Sequence, residues 1–131
     1  MPHAVGTFQV TSDQIKIVCD DDFGRYYRWL FHRAHHYTIK LQPPKHRSHI
    51  NVILPKIHKV ICDNYLHLNG KRVRFQYDVE GNYGGFTKGF VNFWLDVCCR
   101  FGENILHENG FHKERNFSML HLTVGNSKNL K

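Results

Sequence analysis

Two hydrophobic rhythms run along the chain. Phe23, Tyr26, Tyr27, Leu30, Phe31 and Ala34 recur at three- and four-residue spacing, which predicts an amphipathic helix over 23–36. Asp20, Asp21 and Asp22 stand at its start, where carboxylates cap and suit the positive end of the helix dipole. Tyr26 and Tyr27 fall in the apolar stripe and are expected in the core. The opposite face carries Arg25, Arg28, His32, Arg33, His35 and His36, with cations gathered at the negative end of the dipole. Elsewhere the period is two. IKIVC at 15–19, HINVIL at 49–54, KRVRFQYDV at 71–79, FVNFWLDVCC at 90–99 and the stretch 118–124 predict strands. Val73, Phe75, Tyr77 and Val79 share one face of the third. Val91, Phe93, Leu95, Val97 and Cys99 face a core in the fourth, leaving Asn92, Trp94 and Asp96 outward. YTIKL at 37–41 also alternates, until Pro43 and Pro44 stop it. Residues 56–70 read as a short helix or a loop ending in the Asn69-Gly70 turn. Residues 80–85 read as a glycine-rich connection, 101–109 as a short helix ended by Gly110, and the end of the chain as a polar tail.

The length of 131 residues fits one domain spanning 1–131. Apolar residues make up 41%, enough for a globular core, but no run is long enough for a transmembrane helix. The first ten residues lack the layout of a secretion signal, so a cytoplasmic protein is expected. Cys98 and Cys99 are adjacent and would point to opposite faces of a strand. With Cys19 and Cys62 they form no CxxC pair, so free thiols are expected rather than a zinc site. The chain has eleven histidines but no HExxH or HxH…D grouping, so no metal or other cofactor is expected. The formal charge of +7 favours an anionic partner: a nucleotide, a nucleic acid or a phosphate ester.

The chemistry lies in two strands. In HINV, His49 and Asn51 share one face and Ile50 and Val52 the other. In HLTV, His121 and Thr123 share one face and Leu122 and Val124 the other. Two histidines flanking a phosphodiester can serve as general base and general acid, because an imidazole titrates near operating pH. Asn51 and Thr123 can donate to the nonbridging oxygens, where charge develops. His36-Tyr37-Thr38 is a competing first motif with apolar backing. Its histidine also reads as a helix-end cation. Trp94 could stack a nucleobase or fill a half-buried site. Lys40, Lys56 and Lys128 are candidate phosphate contacts among solvated lysines.

The paired motif strands resemble those of the 2H phosphoesterase superfamily. HRSHINVILPK, FVNFWLDVCCRFGENI and LHLTVGNSKN are most similar to the phage anti-CBASS cyclic-oligonucleotide nucleases. The resemblance implies an α+β fold of two βα lobes with approximate two-fold symmetry around a central cleft. It favours His49 over His36 and makes His49, Asn51, His121 and Thr123 the catalytic set. It implies metal-independent cleavage of 3′-5′ phosphodiester bonds in cyclic di- or trinucleotides, in the host cytoplasm if the chain is phage-encoded. Asn51 departs from the Ser or Thr of the family motif. The alternatives are an RNA-end or 2′-5′ oligonucleotide phosphodiesterase, and a non-catalytic module that sequesters cyclic nucleotides or binds RNA through the basic helix at 25–36.

Overall fold

A computed structural model describes residues 1–34, 41, 48–80, 82–84, 90–111 and 120–128. Its strands are β1 (His3–Val10), β2 (Ile15–Val18), β3 (His49–Ile53), β4 (Arg72–Tyr77), β5 (Asn82–Gly84), β6 (Phe90–Cys98) and β7 (Leu120–Lys128). Helices α1 (Asp21–Ala34), α2 (Pro55–His58) and α3 (Arg100–Glu108) join them, with a 3-10 helix at Asp63–Leu68.

All the strand pairings are antiparallel, in the order β4-β1-β2-β3-β7-β6-β5. β4 also pairs with β6 through Gln76–Cys98 and Tyr77–Val97. Six strands therefore close into a barrel, and β5 lies beside another part of β6, with Asn82 opposite Trp94. This overturns the expected two βα lobes around a central cleft. The sheet is one continuous ring, and closure leaves its six strands without a free edge.

The strand that closes the ring is β1, which the hydrophobic pattern does not reveal. Its inward row is Gly6, Phe8 and Val10. A Cβ on Gly6 would overlap the Ile17 side chain of β2, so the glycine is needed where a neighbour already fills the space. β1 pairs with β2 along one edge and with β4 along the other, joining the two ends of the sheet.

The core is the barrel interior. Ile15, Ile17, Ile50, Leu95, Val97 and Leu122 are fully buried, and burying a side chain of this kind contributes about 1.5–3 kcal/mol. α1 packs Phe31 on Phe93, with ring centroids 4.8 Å apart, and Tyr27 on Tyr77, whose hydroxyls are hydrogen-bonded at 2.9 Å. α3 buries Ile105 and Leu106. Each of these helices meets a motif strand through a glycine. A Cβ on Gly24 would overlap Ser48 Oγ, just before His49, and a Cβ on Gly102 would sit 3.1 Å from Leu120 Cδ1, just before His121.

Most predicted elements are present, with shifted ends. α1 begins two residues before the expected start, and positions 35–36 lie outside the described residues, as does 37–40 of the expected YTIKL strand. β7 runs on through 125–128, expected as tail, because it pairs with β6 as far as Lys128–Phe90. The glycine-rich connection contains β5. Gly70 lies at the expected turn and Gly110 at the expected helix end, and both have left-handed backbone (φ 83° and 87°). Cys98 is exposed and Cys99 buried, as alternation requires, and all four thiols are free. Tyr26 is 53% exposed rather than buried, and Val79, past the end of β4, is 57% exposed. Among the described residues no helix is long and apolar enough to cross a membrane.

Candidate functional site

β3 and β7 are neighbours in the barrel, with His49 opposite Thr123 and Ile50 opposite Leu122. Continued by one residue, this register sets Asn51 across from His121. Directly opposed side chains on antiparallel strands share a face. Ile50 and Leu122 are turned inward and fully buried, so His49, Asn51, His121 and Thr123 form a two-by-two patch on the outer face. The histidines occupy one diagonal, where backbone positions lie about 7–8 Å apart.

Both strands bulge immediately after the patch. Pairing with β2 steps from Asn51–Lys16 to Ile53–Ile15, which makes Val52 the extra residue. Pairing with β6 steps from Thr123–Trp94 to Gly125–Phe93, which makes Val124 the extra residue. A bulge bends and twists the strand and re-aims nearby side chains. Arg28 of α1 donates from Nη1 to the Val124 carbonyl at 2.9 Å, so a cation is held at the bulged residue that follows Thr123. Burial first, and then Arg25, lowers the Arg28 pKa, but a guanidinium keeps its charge.

The flanking strands differ. On β6, Asp96 lies opposite His121, with Oδ1 3.4 Å from Nε2. Trp94 stacks on the same imidazole, with centroids 5.5 Å apart and planes at 24°. The His121 and Asp96 side chains are 50% and 39% exposed. On β2, Val18 lies opposite His49 and Lys16 opposite Asn51. Trp94 therefore does touch the predicted set, through His121.

A cleft of about 350 Å³ opens at the Asn51–His121 end of the patch, with Thr123, Leu54, Ile57 and His58 also in its walls. His49 does not line it. The Leu54 N–H donates to His58 Nδ1 at 2.8 Å, so the ring proton belongs on Nε2. Burial lowers the His58 pKa and keeps a neutral ring at the cleft wall. A larger cleft of about 480 Å³, between the 3-10 helix and α3, contains none of the predicted site residues.

Of the predicted lysines, Lys56 is exposed on α2 next to Ile57 but does not line the cleft. Lys128 is at the end of β7, and its side chain lies outside the description. Lys40 and the competing His36 lie outside the described residues. Among the described residues no group of His, Cys, Asp and Glu could hold a metal ion. Sequence reasoning missed the pairing of Asp96 with His121, and it missed Lys16, Arg28 and His58 as neighbours of the patch. Alternation turns Asp96 outward, but only register assigns it to His121. His58 follows its strand in PKIH, a segment too short to show a period.

The patch thus offers two imidazoles on a diagonal, one amide and one hydroxyl as donors on the other, and a carboxylate behind one imidazole. These are parts for proton transfer on either side of a tetrahedral anion. No protein-family model, curated protein or solved structure matches this chain.

Proposed function

We propose that the chain is a metal-independent phosphodiesterase acting on nucleotide phosphodiesters, with His49 and His121 as the proton-transfer pair. The observation that carries this reading is the β3–β7 register, which sets His49 opposite Thr123 on the outer face. Both histidines stand on paired strands, a rigid support for groups that must hold their geometry.

In the first step His49 takes the proton of the attacking hydroxyl, either a ribose 2′-OH or a water. The new P–O bond forms as the bond to the leaving oxygen breaks, and His121 gives that oxygen its proton. The Asp96 carboxylate, with Oδ1 3.4 Å from Nε2, and the stacked Trp94 ring hold the His121 imidazole in place. Asn51 and Thr123 donate to the nonbridging oxygens. If the 2′-OH attacks, the product is a 2′,3′-cyclic phosphate, which water opens in a second step with the histidines exchanging roles.

The first substrates to offer are cyclic di- and trinucleotides, on the resemblance of the motif strands. A second reading, an RNA-end or 2′-5′ oligonucleotide phosphodiesterase, draws support from the openness of the site, since His121 is half exposed on an outer barrel face. The test is incubation in EDTA with cyclic di- and trinucleotides, 2′-5′ oligoadenylate and an RNA ending in a 2′,3′-cyclic phosphate, with products read by mass. The expected result is turnover of one class by the wild type and none by His121→Ala. No turnover of any substrate, or turnover unchanged in His121→Ala, overturns the proposal.

A further inference from the structure

The net charge of this protein is not spread along the chain. Residues 23–62 contain eight of its eighteen Lys and Arg and none of its eleven Asp and Glu. That segment therefore carries +8 and the remaining residues together −1. It begins within α1, and α1 is where its charge meets exposed aromatic rings.

The buried side of α1 is accounted for. Tyr27 and Phe31 pack on the barrel, Gly24 lies against Ser48, and Arg28 reaches the Val124 carbonyl. The exposed side is a stripe of Arg25, Tyr26, Trp29 and Arg33, at the spacing that aligns residues along one helix face. Tyr26 and Trp29 are 53% and 44% exposed, with ring centroids 6.2 Å apart and planes at 34°. The Arg33 guanidinium lies over Trp29, 5.5 Å from the ring centroid. Arg25 is shared with Asp22 at 3.3 Å, in a pair exposed on both sides, and such a pair is readily exchanged for another anion.

We infer that this face of α1 binds single-stranded nucleic acid. Aromatic rings interleaved with arginines give unpaired bases a surface to stack on and give their phosphates a counter-charge. A membrane surface is the competing partner for a basic helix with exposed Tyr and Trp. Insertion into lipid, however, needs a free apolar face, and the apolar face of α1 is committed to the barrel. The stripe sits on the helix that touches Ser48 and Val124, the residues that adjoin His49 and Thr123. The inference goes beyond the proposed catalysis and does not depend on it.

The test uses the full chain carrying His121→Ala, which keeps any RNA from being consumed, and Trp94→Phe, which leaves Trp29 as its only tryptophan. A mixed-sequence single-stranded RNA, the matching DNA strand, the duplex, heparin and vesicles containing anionic lipid are each titrated. Trp29 emission and the anisotropy of labelled ligand are read. The expected result is saturable quenching by both single strands and binding that weakens as salt rises. Tyr26→Ala with Trp29→Ala should lower affinity at least tenfold by anisotropy, and Arg25→Gln with Arg33→Gln should flatten the salt dependence. All four residues are exposed, and circular dichroism checks that each variant is folded. Equal quenching by heparin, preference for vesicles or duplex, or affinity unchanged in Tyr26→Ala/Trp29→Ala overturns the inference. Loss of turnover at the patch has no bearing on these outcomes.

Discussion

β3 and β7 are built alike and furnished differently. Each starts beside a glycine of the preceding long helix, presents a histidine and a donor outward, and bulges at the next valine. Their flanking strands differ. His121 has a carboxylate and a stacked indole beside it, whereas the residue opposite His49 on β2 is Val18. Backbone pairing makes the two strands equivalent, and side chains from the flanking strands remove the equivalence. A proton-transfer pair needs such a difference, because one member must begin with the proton and the other without it.

The largest expected effect tests that division of labour. Replacing either histidine by alanine should lower kcat/KM on a natural phosphodiester by about 10²–10⁴-fold. A substrate with a p-nitrophenyl leaving group needs no protonation of that group. On it His121→Ala should recover to within about tenfold of wild type, while His49→Ala stays low. Recovery of His49→Ala instead would reverse the roles, and equal recovery of both would abolish the difference between the strands.

The glycine buttresses should separate the strands in stability. Gly24→Ala forces a Cβ into Ser48 Oγ, and also places it 2.9 Å from Arg28 Nη1. Overpacking of this kind costs about 1–3 kcal/mol, so the urea midpoint should fall, and Ser48→Ala added to it should restore most of the loss. Gly102→Ala is tight only against the end of the Leu120 side chain, at 3.1 Å, which can yield by a few tenths of an ångström, and meets Val52 and Cys99 at ordinary contact distance. The gain in helix propensity, about 1 kcal/mol, should then make it neutral or stabilising. A destabilised Gly102→Ala would mean that β7 is held as tightly as β3.

These contrasts also mark what the sequence can reveal. Alternation within β3, β4, β6 and β7 exposes the strands and the outward histidines, because side-chain direction is a local property. Closure of the barrel is not local. It depends on β1, whose inward row contains Gly6 and so loses the hydrophobic rhythm just where Ile17 supplies the missing volume. Register is not local either, so Asp96 reads as outward without reading as the neighbour of His121. Tyr26 and Tyr27 show a third limit. Adjacent residues are about 100° apart on a helix, and the stripe that includes both has room against the barrel only for Tyr27.

Asp96→Asn should have a smaller effect. An exposed ion pair is worth up to about 1 kcal/mol, so kcat/KM should fall by roughly fivefold at low salt. The deficit should shrink at high salt as screening removes the advantage of the wild type. A large, salt-insensitive loss would mean that Asp96 fixes the ring mechanically rather than through its charge.

The smallest effect is expected of Asn51→Thr, at the outward-facing difference between the motifs, Asn51 in place of a second hydroxyl. Asn51 faces His121 across the pair and Lys16 on its other side. Asn51→Thr keeps a donor at the same outward position and suits a strand better than asparagine does. Either donor meets the same charged oxygen, so here a bond is exchanged rather than removed. Steady-state kcat/KM should therefore stay within about threefold of wild type. Asn51→Val has a similar shape to the threonine but no donor. A bond to a charged oxygen contributes about 1.5–3 kcal/mol, so this variant should lose tenfold or more. If valine works as well as threonine, nothing on β3 corresponds to the Thr123 hydroxyl, and the likeness of the two strands ends at their backbones.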